Sequence, residues 1–190
     1  MKAIVFGAST RTDSLNKRLA RFAASELERH GIEVKLIDLR DYPMPIYDGD
    51  LEAESGLPPA ARALKNLFRQ HDTVVIASPE HNGSISALLK NTLDWVSRPE
   101  PGERPGAAFR GKTALIMSAS PGAGGGRRGL RHLREVLQNL GMSVHAAEIS
   151  VPRAHQAFDP DGRLLHDGSV EQLHQFAREN LDPAARSVPA

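Results

Sequence analysis

"VVIASPEHNGSISALLKNTLDW", residues 74–95, changes character twice along its length. It begins with Val74, Val75, Ile76 and Ala77, a short apolar run rich in β-branched residues, which reads as a buried strand. It ends with Ile85, Leu88, Leu89, Leu93 and Val96 recurring at helical spacing, the face of an amphipathic helix. Between them stand Pro79, Glu80, His81, Asn82 and Gly83. A strand-to-helix connection needs only one capping residue, so Asn82 or Ser84 acting as a cap leaves most of this polar turn unexplained. In open α/β sheets ligands bind beyond the carboxyl ends of the strands, and this turn is so placed.

The same alternation runs outward in both directions. Ala3–Phe6 reads as a strand, and Leu15, Leu19, Phe22, Ala23 and Leu27 mark a helix that Gly31 stops. Glu33–Leu39 is a second strand with Val34 and Leu36 alternating, and residues 41–50 form a proline-containing loop. A proline-initiated helix over 58–70 leads into the strand that opens the quoted stretch. Residues 98–111, rich in proline and glycine, are expected to be an exposed connection. Residues 112–120 are a fourth strand, 121–129 a glycine-rich loop, and Leu130, Leu133, Val136, Leu137 and Leu140 a helix closed by Gly141. Residues 142–151 hold the last strand and 169–180 the last helix. Strand and helix alternating five times give one α/β domain, residues 1–181, with a parallel sheet covered by helices on both faces. Residues 182–190 are expected to be a disordered tail.

Composition narrows the function. The 190 residues are 40% hydrophobic and 25% charged with net charge +1, so no global field favours nucleic acid or membrane. Without cysteine there is no disulfide, thiolate metal site or cysteine nucleophile. The eight histidines form no H-x-x-x-H pair, so no metal site is expected. "DPDGR" (159–163) lacks the further ligands of a calcium loop and reads as a β-turn. The apolar run in Met1–Thr10 is too short for a secretion signal, and a cytoplasmic location is expected.

Three loops follow the first, third and fourth strands. In the first, "GASTRTDSLNKRLA", Ser9, Thr10, Ser14 and Asn16 supply polar donors near a helix N-terminus, and Arg11 adds a guanidinium. Free N–H groups, a partial positive charge and an arginine together suit a phosphate, although Asp13 or Ser14 could merely cap the helix. The loop matches neither G-x-x-x-x-G-K-[ST], nor G-x-G-x-x-G, nor G-x-S-x-G. The second loop presents a proline, backbone amides and Gly83, which suits the edge of a flat heteroaromatic. The third, with Ser118, Ser120, Pro121 and four glycines between 122 and 126, permits close backbone approach to a ligand. Arg127 and Arg128 follow it and could meet the phosphate of a pyridine nucleotide, or could lie on a solvated helix face.

Taken together, these segments resemble the NAD(P)H-dependent FMN reductases, which include quinone, azo and chromate reductases. Ser9, Arg11, Ser14 and Asn16 match that family's S-x-R-x-x-S-x-N loop, and residues 79–98 resemble its P-E-Y-N-x-S-x-P-G-x-L-K-N-x-x-D-W segment. Residues 118–137 and 158–164 resemble two further segments. The resemblance implies a flavodoxin-like three-layer sandwich with strand order 2-1-3-4-5. It implies that Ser9, Arg11, Ser14, Leu15 and Asn16 hold the FMN phosphate, and that Pro79, Glu80, His81, Asn82, Gly83 and Ser118 border the isoalloxazine ring. NADPH or NADH would be the co-substrate and a quinone, free flavin, azo compound or similar small molecule the acceptor, with the chemistry carried by the flavin and no catalytic side chain. A homodimer or homotetramer is implied, since neighbouring subunits wall the flavin site in such enzymes. His81 replaces the family's tyrosine, and Ser86 and Ala87 replace its proline and glycine. The contrasting reading is a flavodoxin-like electron carrier or flavin-dependent redox regulator with little turnover, and a fold relative that has lost its flavin is a third.

Overall fold

The computed structural model describes residues 1–181. Its principal sheet is built from β1 (Lys2–Gly7), β2 (Glu33–Asp38), β3 (Thr73–Ala77), β6 (Thr113–Ala119) and β7 (Ser143–Val151). All neighbours are parallel and the order is β2-β1-β3-β6-β7, the 2-1-3-4-5 order of the principal strands. Two short strands, β4 (Glu80–His81) and β5 (Ser84–Ile85), make a separate antiparallel hairpin. The helices are α1 (Leu15–Arg29), α2 (Gly49–Ser55), α3 (Pro59–Gln70), α4 (Ala87–Ser97), α5 (Arg127–Asn139) and α6 (Asp167–Leu181).

Why the apolar runs become strands is visible in their burial. Every residue of β3 is buried, as are Ala3–Gly7 of β1, because helices cover both faces of the central strands. One core lies between the sheet and α1 and α6, with Val5, Leu19, Leu27, Val75, Met117 and Phe176 fully or almost fully buried. The other lies beneath α3, α4 and α5 and holds Phe6, Leu64, Phe68, Ile76, Leu93 and Leu133. Leu36, expected to face inward, is 43% exposed because β2 is an edge strand with helix cover only in part.

Residues 98–111 depart from expectation. Ala108 and Phe109 are fully buried, and Phe109 packs edge-on against Phe68 with ring centroids 5.2 Å apart. Glu103, in the same connection, accepts a hydrogen bond from the buried Lys65 ammonium and another from Arg69 Nη1 at 2.5 Å. Lys65 Nζ also donates to the Arg98 carbonyl at 2.7 Å. The connection is therefore clamped onto α3. A proline-rich strap before α2 is fixed similarly: Trp95 Nε1 and Asn91 Nδ2 both donate to the Pro45 carbonyl at 2.8 Å. Trp95 is fully buried, so it belongs to the core. The "DPDGR" segment is a turn, with Gly162 N–H donating to the Asp159 carbonyl.

Candidate flavin site

The loops after β1, β3 and β6 emerge at one end of the sheet because all three strands run the same way. Each is then tied to a neighbour. Loop one reaches α1 at Ser14, the N-cap, whose Oγ accepts from Lys17 N–H at 3.4 Å. No acidic residue stands in the first turn of α1. Ser9, half-buried, accepts from Arg11 N–H at 3.2 Å, while Thr10 and Arg11 are exposed. The Arg11 guanidinium has no carboxylate partner among the described residues. This is a set of donors at the positive end of a helix, with one unpaired cation, and its chemistry fits a phosphate monoester.

Asn16 does something the sequence did not show. Its side chain is almost fully buried, Nδ2 donating to the Ala119 carbonyl and Oδ1 accepting from Ala119 N–H, both at 2.9 Å. That side chain clips loop one to the end of β6 and, committed to Ala119, is not available to a ligand. Gly7 makes the arrangement possible: a Cβ there would lie 2.8 Å from Lys17 Cα and N.

The second loop is a hairpin. His81 pairs with Ser84, and Asn82 and Gly83 at its tip have φ of 52° and 78°. Positive φ at both central residues is the type I′ arrangement that Asn-Gly favours, a signal present in the sequence. The hairpin also shortens the following helix, so Ile85 lies in β5 and α4 begins at Ala87. The cap of α4 is Ser86, not Asn82 or Ser84: its Oγ accepts from Leu89 N–H at 3.2 Å and donates to the Ala8 carbonyl at 3.0 Å. Thus the residue replacing the family's proline links loop one to α4. His81 and Asn82 are exposed; Pro79 and Gly83 are half-buried. The carboxylate of Glu80 turns away from the hairpin tip, accepting from Arg128 N–H at 3.0 Å and Gly129 N–H at 3.1 Å.

Ser118 is not brought to the surface of the site. It is fully buried under α5, on the same sheet face as Ala114 and Ile116, and its Oγ finds no hydrogen-bond partner. A Cβ on Gly126 would lie 1.9 Å from that oxygen, so the glycine-rich loop lies directly on it. Ser118→Ala is accordingly expected to leave FMN affinity unchanged and to raise stability by up to about 1 kcal/mol, since an unpaired buried hydroxyl is removed. Urea denaturation and flavin titration check both halves. Missed by sequence reading was a groove of about 280 Å³ beside loop one, lined by Thr10, Leu39, Arg40, Tyr42, Pro43, Met44 and α4 residues, because its walls come from a loop far away in sequence.

An α/β sandwich of this strand order, with phosphate-type donors after β1 and a glycine-rich loop after β6, defines a flavodoxin-like protein. Consistent with that fold, a flavodoxin of Bacillus cereus superposes with TM-score 0.61 over all of both chains at 16% identity. Residues 1–156 match the family described as NADPH-dependent FMN reductase. The chain is 35% identical over 176 residues to an NAD(P)H-dependent FMN reductase of Pseudomonas aeruginosa, spanning 92% of this chain and 90% of that one. It is 32% identical to a quinone reductase of Escherichia coli, spanning 91% and 89%. The flavoenzyme NAD(P)H:(acceptor) oxidoreductase FerB of Paracoccus denitrificans superposes with TM-score 0.76 at 27% identity over 93% of each chain. The chain belongs to the NADPH-dependent FMN reductase family. It is an oxidoreductase with FMN as cofactor and NAD(P)H as electron donor.

Proposed function

We propose that FMN is held across the three loops, with its phosphate on loop one and its ring along the β4–β5 hairpin, and that the acceptor is a quinone or similar small molecule. The observation that carries the placement is loop one, where Ser9, Arg11 and the cap Ser14 lead into the N-terminus of α1 without an acidic residue in the helix's first turn. When bound, FMN would supply the redox chemistry, with NAD(P)H as hydride donor and the small molecule as acceptor. What the chain contributes is orientation. Arg11 and the N-terminus of α1 bind the phosphate, the Asn82–Gly83 turn brings backbone close to the ring edge, and Pro79 stiffens the exit from β3.

No proton carrier is required of a side chain, so no catalytic residue is assigned. His81, exposed at the hairpin, presents a flat ring that can stack or donate where relatives carry tyrosine. Arg128 runs beside the same hairpin, its Cδ 3.9 Å from where a Gly83 Cβ would lie, and has no carboxylate partner on its guanidinium among the described residues. We place the extra phosphate of NADPH on Arg127 or Arg128. Arg128→Glu is then expected to raise KM for NADPH more than KM for NADH, and equal rises would remove this assignment. We propose further that the enzyme acts as a homodimer or homotetramer in the cytoplasm. No helix among the described residues is long and apolar enough to cross a membrane.

The test is anaerobic addition of NADPH or NADH to the FMN-loaded protein, followed by a quinone. Loss of the visible flavin absorbance and its return on quinone addition is the expected result. A flavin band that ignores both nucleotides would instead favour the electron-carrier reading.

A further inference from the structure

We infer that Glu80 is a positioning residue that holds the flavin-edge hairpin and the glycine-rich loop together as one rigid unit. The inference rests on the proposed placement of the ring along the hairpin. Helix α5 has no cap of its own: its N-cap is Gly126, with φ 83° and no side-chain hydrogen bond, and its first turn has no acidic residue. It opens instead with Arg127 and Arg128, two cations at the positive end of a helix dipole, an unfavourable arrangement by itself. The Glu80 carboxylate supplies what the helix lacks, accepting from the free N–H groups of Arg128 and Gly129 with a negative charge. It comes from a different loop, 48 positions earlier.

Close approach is what makes this cap from a distance work. A Cβ on Gly129 would lie 3.1 Å from the Ser84 carbonyl oxygen and 3.3 Å from Glu80 Cβ, so the hairpin lies against bare helix backbone. A second tie is His132 Nδ1 to Ser84 Oγ at 3.1 Å. With both ends so fixed, the Asn82–Gly83 tip has little freedom relative to the loop over Ser118. Glu80 is half-buried and its side chain belongs to neither apolar core, whereas Gly129 is buried on the face of α5 that meets the hairpin, so the contact can be disturbed from either side. Two arginines at the rim of the site are tolerated for the same reason: the carboxylate offsets the charge of the helix end from which they extend.

The experiment measures FMN dissociation constants by fluorescence titration of the apoprotein, with thermal denaturation alongside, for wild type, Glu80→Ala, Glu80→Gln and Gly129→Ala. Glu80→Ala is expected to weaken FMN about ten-fold, and Glu80→Gln, which keeps an acceptor oxygen, to recover most of that loss. Gly129→Ala is the decisive variant, because alanine is the better helix former yet its methyl group pushes the hairpin away. It is expected to keep or raise Tm while weakening FMN several-fold. Affinities within two-fold of wild type in both Glu80→Ala and Gly129→Ala, or losses that simply follow falling Tm, would overturn the inference. Should Glu80→Ala not fold, the Gly129→Ala result decides. A wild-type protein that fails to take up FMN would instead overturn the placement of the flavin itself.

Discussion

Asn16→Ala is expected to cost about 3 kcal/mol of stability, because it leaves two buried backbone groups without partners at about 1–3 kcal/mol each. The Ala119 N–H and carbonyl lie at the end of β6, where the next parallel partner in the ladder is β7 and the chain then leaves the sheet. Asn16 fills both at 2.9 Å, as a neighbouring strand would, although it stands on the first turn of α1. For a chain of this size such a loss lowers Tm by roughly 6–12 °C. Asn16→Asp should be no better than alanine: it keeps the acceptor for the amide but turns a carboxylate oxygen toward the carbonyl. Thermal denaturation of the two variants is the check. FMN affinity should fall in both, since the same clip sets loop one against the exit of β6.

Asp38→Asn is the second large effect, and its partner mutation should be milder. Lys17 is buried on α1, its side chain 6% exposed, and Nζ donates to Asp38 Oδ2 at 2.8 Å. Asp38 sits at the end of β2, opposite Gly7, so the pair lies directly behind loop one. The aspartate has a second cation, Arg40, donating from Nη2 at 2.7 Å and Nε at 3.0 Å, whereas the Lys17 ammonium depends on Asp38. Removing the carboxylate therefore strands a buried ammonium, at about 3–5 kcal/mol. Lys17→Met leaves the carboxylate with Arg40 and solvent, and should cost about 1 kcal/mol.

The pH dependence follows from the same contacts. Burial pushes the Asp38 carboxyl up, but hydrogen bonds from Arg40 and then Lys17 outweigh it and hold the group well below the usual carboxylate range. A carboxyl lowered in the folded state stabilises the fold above its unfolded value of about 3.9, and that contribution is lost as pH falls below it. The gap between wild type and Asp38→Asn should be full near neutrality and close progressively on the acid side. A gap that stays constant from about pH 6 down to about pH 3 would contradict this account of the pair.

The elements legible in the sequence were those that bury an apolar face. β3 and β6 are continuous apolar runs because the sheet is covered on both sides, and α1, α4 and α5 each carry an apolar stripe. By contrast α2 buries none of its residues, so no periodicity announces it; only Asp48, accepting from Asp50 N–H at 2.8 Å, marks its start. Phe109 escaped because its buried stretch is two residues long, between exposed Ala107 and Arg110. The hairpin could have been read from Asn82-Gly83, but its strands are two residues each and leave no alternation to see.

Within the site, residue identity was legible and side-chain direction was not. Ser9, Arg11 and His81 are on the surface as the loop reading expects. Asn16, Glu80 and Ser118 are instead committed to partners or neighbours 103, 48 and eight residues away, which no local pattern encodes. Strand parity alone would have placed Ser118 beneath α5 with Ile116. The consequence for the site is specific: Asn16 and Glu80 tie loops together and Ser118 is buried without a partner, so the proposed flavin contacts fall to backbone, Arg11 and the hairpin tip.

That division is tested most directly by comparing FMN with riboflavin, the same ring without the phosphate. Dissociation constants for both should be measured by fluorescence titration of the apoprotein, in wild type and in Arg11→Ala. A phosphate held by loop one gives FMN an advantage of at least about 100-fold, and Arg11→Ala should cut that advantage about ten-fold while leaving riboflavin binding alone. Equal affinity for the two flavins in the wild type would contradict the account, because the donors of loop one would then have no phosphate to hold.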